Sequence, residues 1–226
     1  AGHGLKVGDN VTVRRPATAQ WIAALGMTTL GGERHGFSWR PGSREVAWDR
    51  TVTRVEGDVI NIDSPVTTAL DAQYGGGSVA AYTWPGRISQ VGVENLRCES
   101  AYDPANPKDE AHSWLAVSLE SAQDAWVRRV AVAHFAAGAV HVLETCRRVT
   151  VEDCRSIAPV SEIGGGRRHA FFTAGTQTLF ARCWSEDGRH DFAVGFCAGG
   201  PNAFVQCEAW NALEESGPLD SWASGV

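Results

Sequence analysis

Three short stretches carry the residues most able to do chemistry: "GRHDFAVGF" (Gly188 to Phe196), "RRHAFF" (Arg167 to Phe172) and "EAHSWLAV" (Glu110 to Val117). Each sets a histidine two residues before an aromatic, with an arginine or a carboxylate beside it. An imidazole titrates near neutrality and can take or give a proton. An arginine can neutralise a carboxylate bound next to it and stabilise charge that develops there. The set suits β-elimination on an acidic sugar. His190 or His169 would be the base, and Arg189, Arg168 and Arg167 would hold the substrate carboxylate. Tyr102 or His112 would serve as acid. The same residues permit two other chemistries. Asp191 with Glu162 or Glu110 would make a carboxylate pair for hydrolysis, and His169, His190 and Asp191 are ordinary ligands for a divalent metal. No cofactor is required by the first two.

These stretches are positioned by a repeat. "VENLRC" from Val93 aligns with "VRRVAV" from Val127, "VEDCRS" from Val151, "FARCWS" from Phe180 and "FVQCEA" from Phe204, at offsets of 34, 24, 29 and 24 residues. An apolar residue or a thiol fills the fourth place each time: Leu96, Val130, Cys154, Cys183, Cys207. A second strand precedes most of them: "WLAVSL" from Trp114, "AVHVL" from Ala139, "AFFTA" from Ala170 and "DFAVGF" from Asp191. Short β-rich runs at a period in the twenties, broken by Gly, Pro, Asn and Asp, predict a β-solenoid whose rows stack about 4.8 Å apart. Helical periodicity is missing apart from a short turn near "ATAQWIAAL" (Ala17 to Leu25). The six cysteines form no CxxC pair, so buried free thiols fit better than a thiolate metal site or disulfides.

The run "VTVEDCRS" (Val149 to Ser156), its cousins and the row length resemble the right-handed parallel β-helix proteins of the pectate-lyase-like superfamily. The resemblance covers 87–226 and is architectural: no calcium-binding aspartate cluster and no polygalacturonase-like aspartate pair accompanies it. It implies an all-β fold, a right-handed parallel β-helix. It also implies a secreted or periplasmic protein that cleaves a polysaccharide, as a lyase or a glycoside hydrolase, or binds one as an adhesin. Residues 1–86 fall outside the repeat and read as a β-rich subdomain or irregular first coils, either capping the stack or walling its substrate. "REVAWDRTVTRVEGDVINIDSPV" (Arg44 to Val66) predicts a hairpin there.

Aligning the histidines predicts one column along the stack. His169 and His190 fall on neighbouring rows, Gly138 stands in the row before, His112 beyond that, and Asp220 follows on the other side. A residue that begins a strand at the edge of such a stack is ordinarily just solvated, and that is the competing explanation. The nine tryptophans, among them Trp21, Trp39, Trp48 and Trp84, offer faces for sugar rings or simply fill cores.

A net charge of -6 argues against nucleic acid and against an anionic membrane surface as partners. No run approaches the roughly 20 apolar residues of a spanning helix. The chain opens at Ala1 as a processed chain would, and "ESGPLDSWASGV" begins a further row without completing it. That leaves either a longer natural chain or a homo-oligomer to cover the end.

Overall fold

The computed structural model describes residues 2–29, 38–218 and 222–226. The first strands pair antiparallel. β1 (Asn10–Arg15) is followed by a short helix, α1 (Ala19–Ala24), capped by the Thr18 hydroxyl. The hairpin of β2 (Val46–Glu56) and β3 (Val59–Ile62) then turns through Gly57, and β4 (Ser78–Ala81) completes the sheet in the order β3-β2-β1-β4. Alternation along β1 buries Val11 and Val13 and leaves Thr12 and Arg14 on the other face.

From Ile88 onward every pairing is parallel. β5 (Ile88–Ser89), β6 (Gly92–Glu99), β7 (Leu115–Leu119) and β8 (Ala122–Ala133) begin the stack. β9 (Gly138–Val142), β10 (Arg147–Glu152) and β11 (Arg155–Ile157) form the next row. β12 (Phe171–Thr173), β13 (Thr176–Ala181) and β14 (Trp184–Glu186) lie on it. Then come β15 (Phe192–Val194), β16 (Asn202–Val205), β17 (Glu208–Trp210) and β18 (Gly217–Pro218). One sheet runs β16-β13-β10-β8-β11-β14-β17, and a five-stranded sheet runs β18-β15-β12-β9-β7. The class is therefore all-β, dominated by parallel sheets.

The register follows the repeat residue by residue: Val93 pairs with Val127, Val127 with Val151, Val151 with Phe180, and Phe180 with Phe204. The core lies between the two parallel sheets. Val127, Val151 and Phe180 are fully buried, and Phe180 stacks on Phe204 at 4.8 Å between ring centroids. Phe171 stacks on Phe192 at 5.5 Å in the same way. Cys154 and Cys183 hold equivalent places in successive rows, both buried, and all six cysteines are unpaired.

A feature invisible in the apolar pattern sets the corners. Asp124, Arg129 and His134 have left-handed backbones, five residues apart, and so do Arg148, Asp153 and Ala158 in the next row, and Gln177, Arg182 and Asp187 in the one after. Gln206 and Asn211 continue the series, and Gln90 and Asn95 precede it. A left-handed residue turns the chain sharply in one step, at roughly 1–2 kcal/mol for a side chain other than glycine. Stacked corners keep every row bent at the same place. The difference in row length falls wholly between the third corner of one row and the first of the next.

A polar seam joins the antiparallel sheet to the stack. Asp49 accepts hydrogen bonds from Arg147 at 2.8 Å, Arg87 at 2.5 Å and the Tyr82 hydroxyl at 2.5 Å. Arg147 is itself buried and also donates to Gln123 and Asn10. Burial and the Asp49 contact push the Tyr82 hydroxyl up to about 12. Trp21, Trp39 and the half-buried Trp222 pack together beside this sheet and Trp48 is fully buried, so Trp21, Trp39 and Trp48 are core.

Candidate functional site

Two places gather the residue types that could act: the histidine edge anticipated above, and a cleft along the seam.

At the edge, His169 and His190 do lie on adjacent rows, with ring centroids 4.9 Å apart. The pairing of Val140, Phe171 and Phe192 brings Gly138 to the place before His169. A Cβ on Gly138 would meet the His169 carbonyl at 2.3 Å, so only glycine fits there. His141, which the sequence did not single out, donates from its ring to that same carbonyl at 2.7 Å. Burial holds the His141 imidazole low, and His169 is pushed down to about 4 by burial and then by His190, His141 and Arg189.

The rest of the predicted column needs correction. Leu115, and not His112, pairs with Gly138, because an insertion after β6 shifts the register by three residues. His112 is instead tied down in that insertion: its Nδ1 lies 2.8 Å from the Ser100 hydroxyl, and its Nε2 faces the Asp109 and Val160 carbonyls at 3.1 and 3.0 Å. Tyr102 packs edge-on against His134 at 4.9 Å and stands 6.2 Å from His112. On the other side Ala193 pairs with Gly217, which carries Glu214 into the column after His190. Asp220 lies outside the described residues.

The arginines of this edge are already engaged. Arg167 forms a two-pronged pair with Glu110, which holds that carboxyl below its usual range, and lies over Trp114. Arg168 donates to the Ser161 hydroxyl and carbonyl. Arg189 pairs with Glu214 at 3.0 Å and donates to the Gly165 carbonyl at 2.6 Å. Glu162 pairs with Lys108 at 2.9 Å. Asp191 has other neighbours than His190: its carboxylate lies by Gly188 and Ser185, whereas His190 faces Glu214 and Glu215. Asp191 is fully buried, its carboxylate pressed against the Gly188 backbone, and neither oxygen has a well-formed hydrogen bond. Burial raises its pKa, against the pull of the nearby Ser185 hydroxyl and the Gly188 backbone. It therefore does not join His169 and His190 as a ligand set.

The cleft lies where the antiparallel sheet meets the turns that follow β9, β12 and β15, and holds about 380 Å³. Thr12, Arg14, Ala47 and Asp49 share the sheet face that lines it, as the pairings Thr12–Asp49 and Arg14–Ala47 require. Glu45, Glu144, Trp84 and Phe196 complete the rim, with the Arg87–Asp49–Tyr82 cluster at its wall. Trp84 and Phe196 are exposed, and the Arg87 guanidinium lies 4.7 Å from the Trp84 ring centroid. Among the described residues the side chains of Arg14, Glu45 and Glu144 take part in no hydrogen bond or ion pair. Three charged groups are thus unspent on the rim of one hollow that also presents two aromatic rings.

Only Trp84 of these residues was a candidate from sequence. The others come from distant stretches of the chain, and nothing in their spacing announces the convergence. The one available signal was exposed charge beside buried strand positions: Arg14 on β1, and Glu45 just ahead of β2 in "SREVAW" (Ser43 to Trp48), flank residues that bury valine and tryptophan.

No protein-family model matches the chain, and no characterised protein or solved structure shows significant similarity to it.

Proposed function

We propose that the parallel rows wind as a right-handed β-helix and that the protein is a secreted or periplasmic carbohydrate-active enzyme that cleaves a polysaccharide in the seam cleft. The unpaired Glu45, Glu144 and Arg14 beside Trp84 carry this reading. An indole face takes a sugar ring, since its apolar body matches the ring's C–H surface. Two carboxyl groups across a glycosidic bond are the minimum for hydrolysis. One, protonated, gives its proton to the leaving oxygen, and the other activates water or attacks the anomeric carbon. Glu45 and Glu144 take these roles, and Arg14 orients the chain of sugars. The fixed Asp49–Arg87–Tyr82 cluster keeps the wall rigid beneath them.

β-elimination at the histidine edge is the second reading. The adjacent His169 and His190 rings carry it, since an imidazole is the commonest general base, although burial makes His169 a weaker one. It ranks lower because Arg167 and Arg189 are spent on Glu110 and Glu214.

A panel of neutral and acidic polysaccharides separates the two. Hydrolysis gives new reducing ends without ultraviolet absorbance, abolished in Glu144→Gln and Glu45→Gln and weakened in binding by Trp84→Ala. An absorbing unsaturated product, lost in His169→Gln but not in Glu144→Gln, would move the chemistry to the edge. Binding without turnover on any glycan would leave a sugar-binding protein.

A further inference from the structure

We propose that His190, Glu214 and Glu215 form a binding site for a first-row divalent metal ion at the edge of the stack. The ligand atoms of these three residues lie within 4.8 Å of one another, which no other group of three such side chains achieves among the described residues. None of them lines the seam cleft, so the site is independent of the reaction proposed there.

The tautomer of His190 is fixed by the backbone. Its Nδ1 lies 2.6 Å from the Glu215 carbonyl, which can only accept, so Nδ1 carries the hydrogen. In the neutral ring the lone pair is then on Nε2. That atom makes no hydrogen bond and faces the Glu214 Oε2 at 3.4 Å. A lone pair aimed at a carboxylate oxygen is repulsive, and either a proton on the ring or a metal ion between the two atoms relieves it. His190 as a whole is 5% exposed.

The outer contacts match what metal ligands need. A histidine that donates its far N–H to a carbonyl is held in the orientation and basicity of a ligand. Arg189 takes the other oxygen of Glu214, which leaves Oε2 turned toward His190. Glu214 and Glu215 are exposed, which gives an ion a path from solvent. The buried Nε2 of His169, also without a partner, lies in the ring packed edge-on against His190. One imidazole and two carboxylates suit manganese or zinc better than calcium, which prefers oxygen alone.

The test is proton NMR of the full chain, stripped with a chelator and titrated with MnCl2. The seven histidines give a countable set of ring signals, and His190→Asn assigns the one that matters. Mn2+ should broaden His190 and its neighbours His169 and His141 before the other rings and near one equivalent, and ZnCl2 should reverse the broadening. Glu214→Gln and Glu215→Gln, both at exposed positions that circular dichroism will show folded, should each weaken Mn2+ binding about tenfold or more. Broadening that is unselective or needs large excess, or wild-type affinity in either glutamine variant, would overturn the site and leave an imidazolium–carboxylate pair.

Discussion

Arg50, on the second strand of the antiparallel sheet, donates a 2.6 Å hydrogen bond to the carbonyl of Gly200 in the last turns of the stack. Its other donors go to the Asp49, Ser64 and Pro65 carbonyls and to the Thr176 hydroxyl, so all five N–H groups are placed. Burial lowers its pKa to about 10, which still leaves it charged at neutral pH. One side chain thereby ties the cleft's two walls together.

Arg50→Lys should be costly despite keeping the charge. An ammonium has three donors and no planar fork, so at least two buried acceptors lose their partner. The expected loss is about 2–4 kcal/mol, read from the urea midpoint at pH 7. A change under 0.5 kcal/mol would show that water enters the seam.

Gly138→Ala tests the crowding beneath His169. The added methyl meets a backbone carbonyl and the His141 ring, neither of which can swing away. A destabilisation of about 2–3 kcal/mol is expected by thermal or urea unfolding. Gly166→Ala, with nothing within 4 Å of the new atom, is the control and should change little.

His169 gives the protein a pH dependence of definite sign. Its folded pKa, about 4, is below its value of 6.5 in an unfolded chain, so between those pH values the unfolded state binds the extra proton. The stabilisation is complete above pH 6.5 and is lost as the pH falls toward 4. Allowing for solvent screening of a half-buried ring, the loss is about 1–2 kcal/mol. Urea curves at pH 7 and pH 4.5 should differ less for His169→Gln than for the wild type. His141, lowered in the same sense, adds to the acid sensitivity, as do the carboxyls held low by arginines, such as Asp124.

Asp191 runs the other way. A raised carboxyl pKa means that the folded state is penalised as the pH rises from the unfolded value of 3.8, and in full above the folded one. Asp191→Asn should therefore stabilise the protein by about 1 kcal/mol at pH 8, with the gain disappearing in acid. Retained activity in this variant would separate Asp191 from catalysis, whereas loss of turnover without loss of fold would restore it as a reacting group.

The repeat was legible because stacking demands the same residue class at the same place. Val93, Val127, Val151, Phe180 and Phe204 had to be apolar once their neighbours were, and the written alignment is the observed register. His169 and His190 were placed together for the same reason. His112 failed because its alignment rested on a polar residue two before an aromatic, a pattern that the long insertion after β6 reproduces by chance. Glu214 was passed over because Asp220 imitated the motif better. The cleft could not be read at all, since Glu45 and Glu144 reach one hollow only where the antiparallel sheet packs on the turns of the stack, and such packing leaves no period in a sequence.

The left-handed corners have a consequence for anyone who would rebuild this molecule. Because they recur at intervals of five in each row, the bent portion tolerates neither gain nor loss of a residue: one extra position would carry a corner onto a strand and a strand onto a corner. The remaining side of each row is under no such metre. It already accepts the segment that holds His112 and the glycine-rich stretch before Arg167. Foreign loops grafted there would be carried in parallel, one per row and a strand's width apart, on a frame that takes no notice of their length.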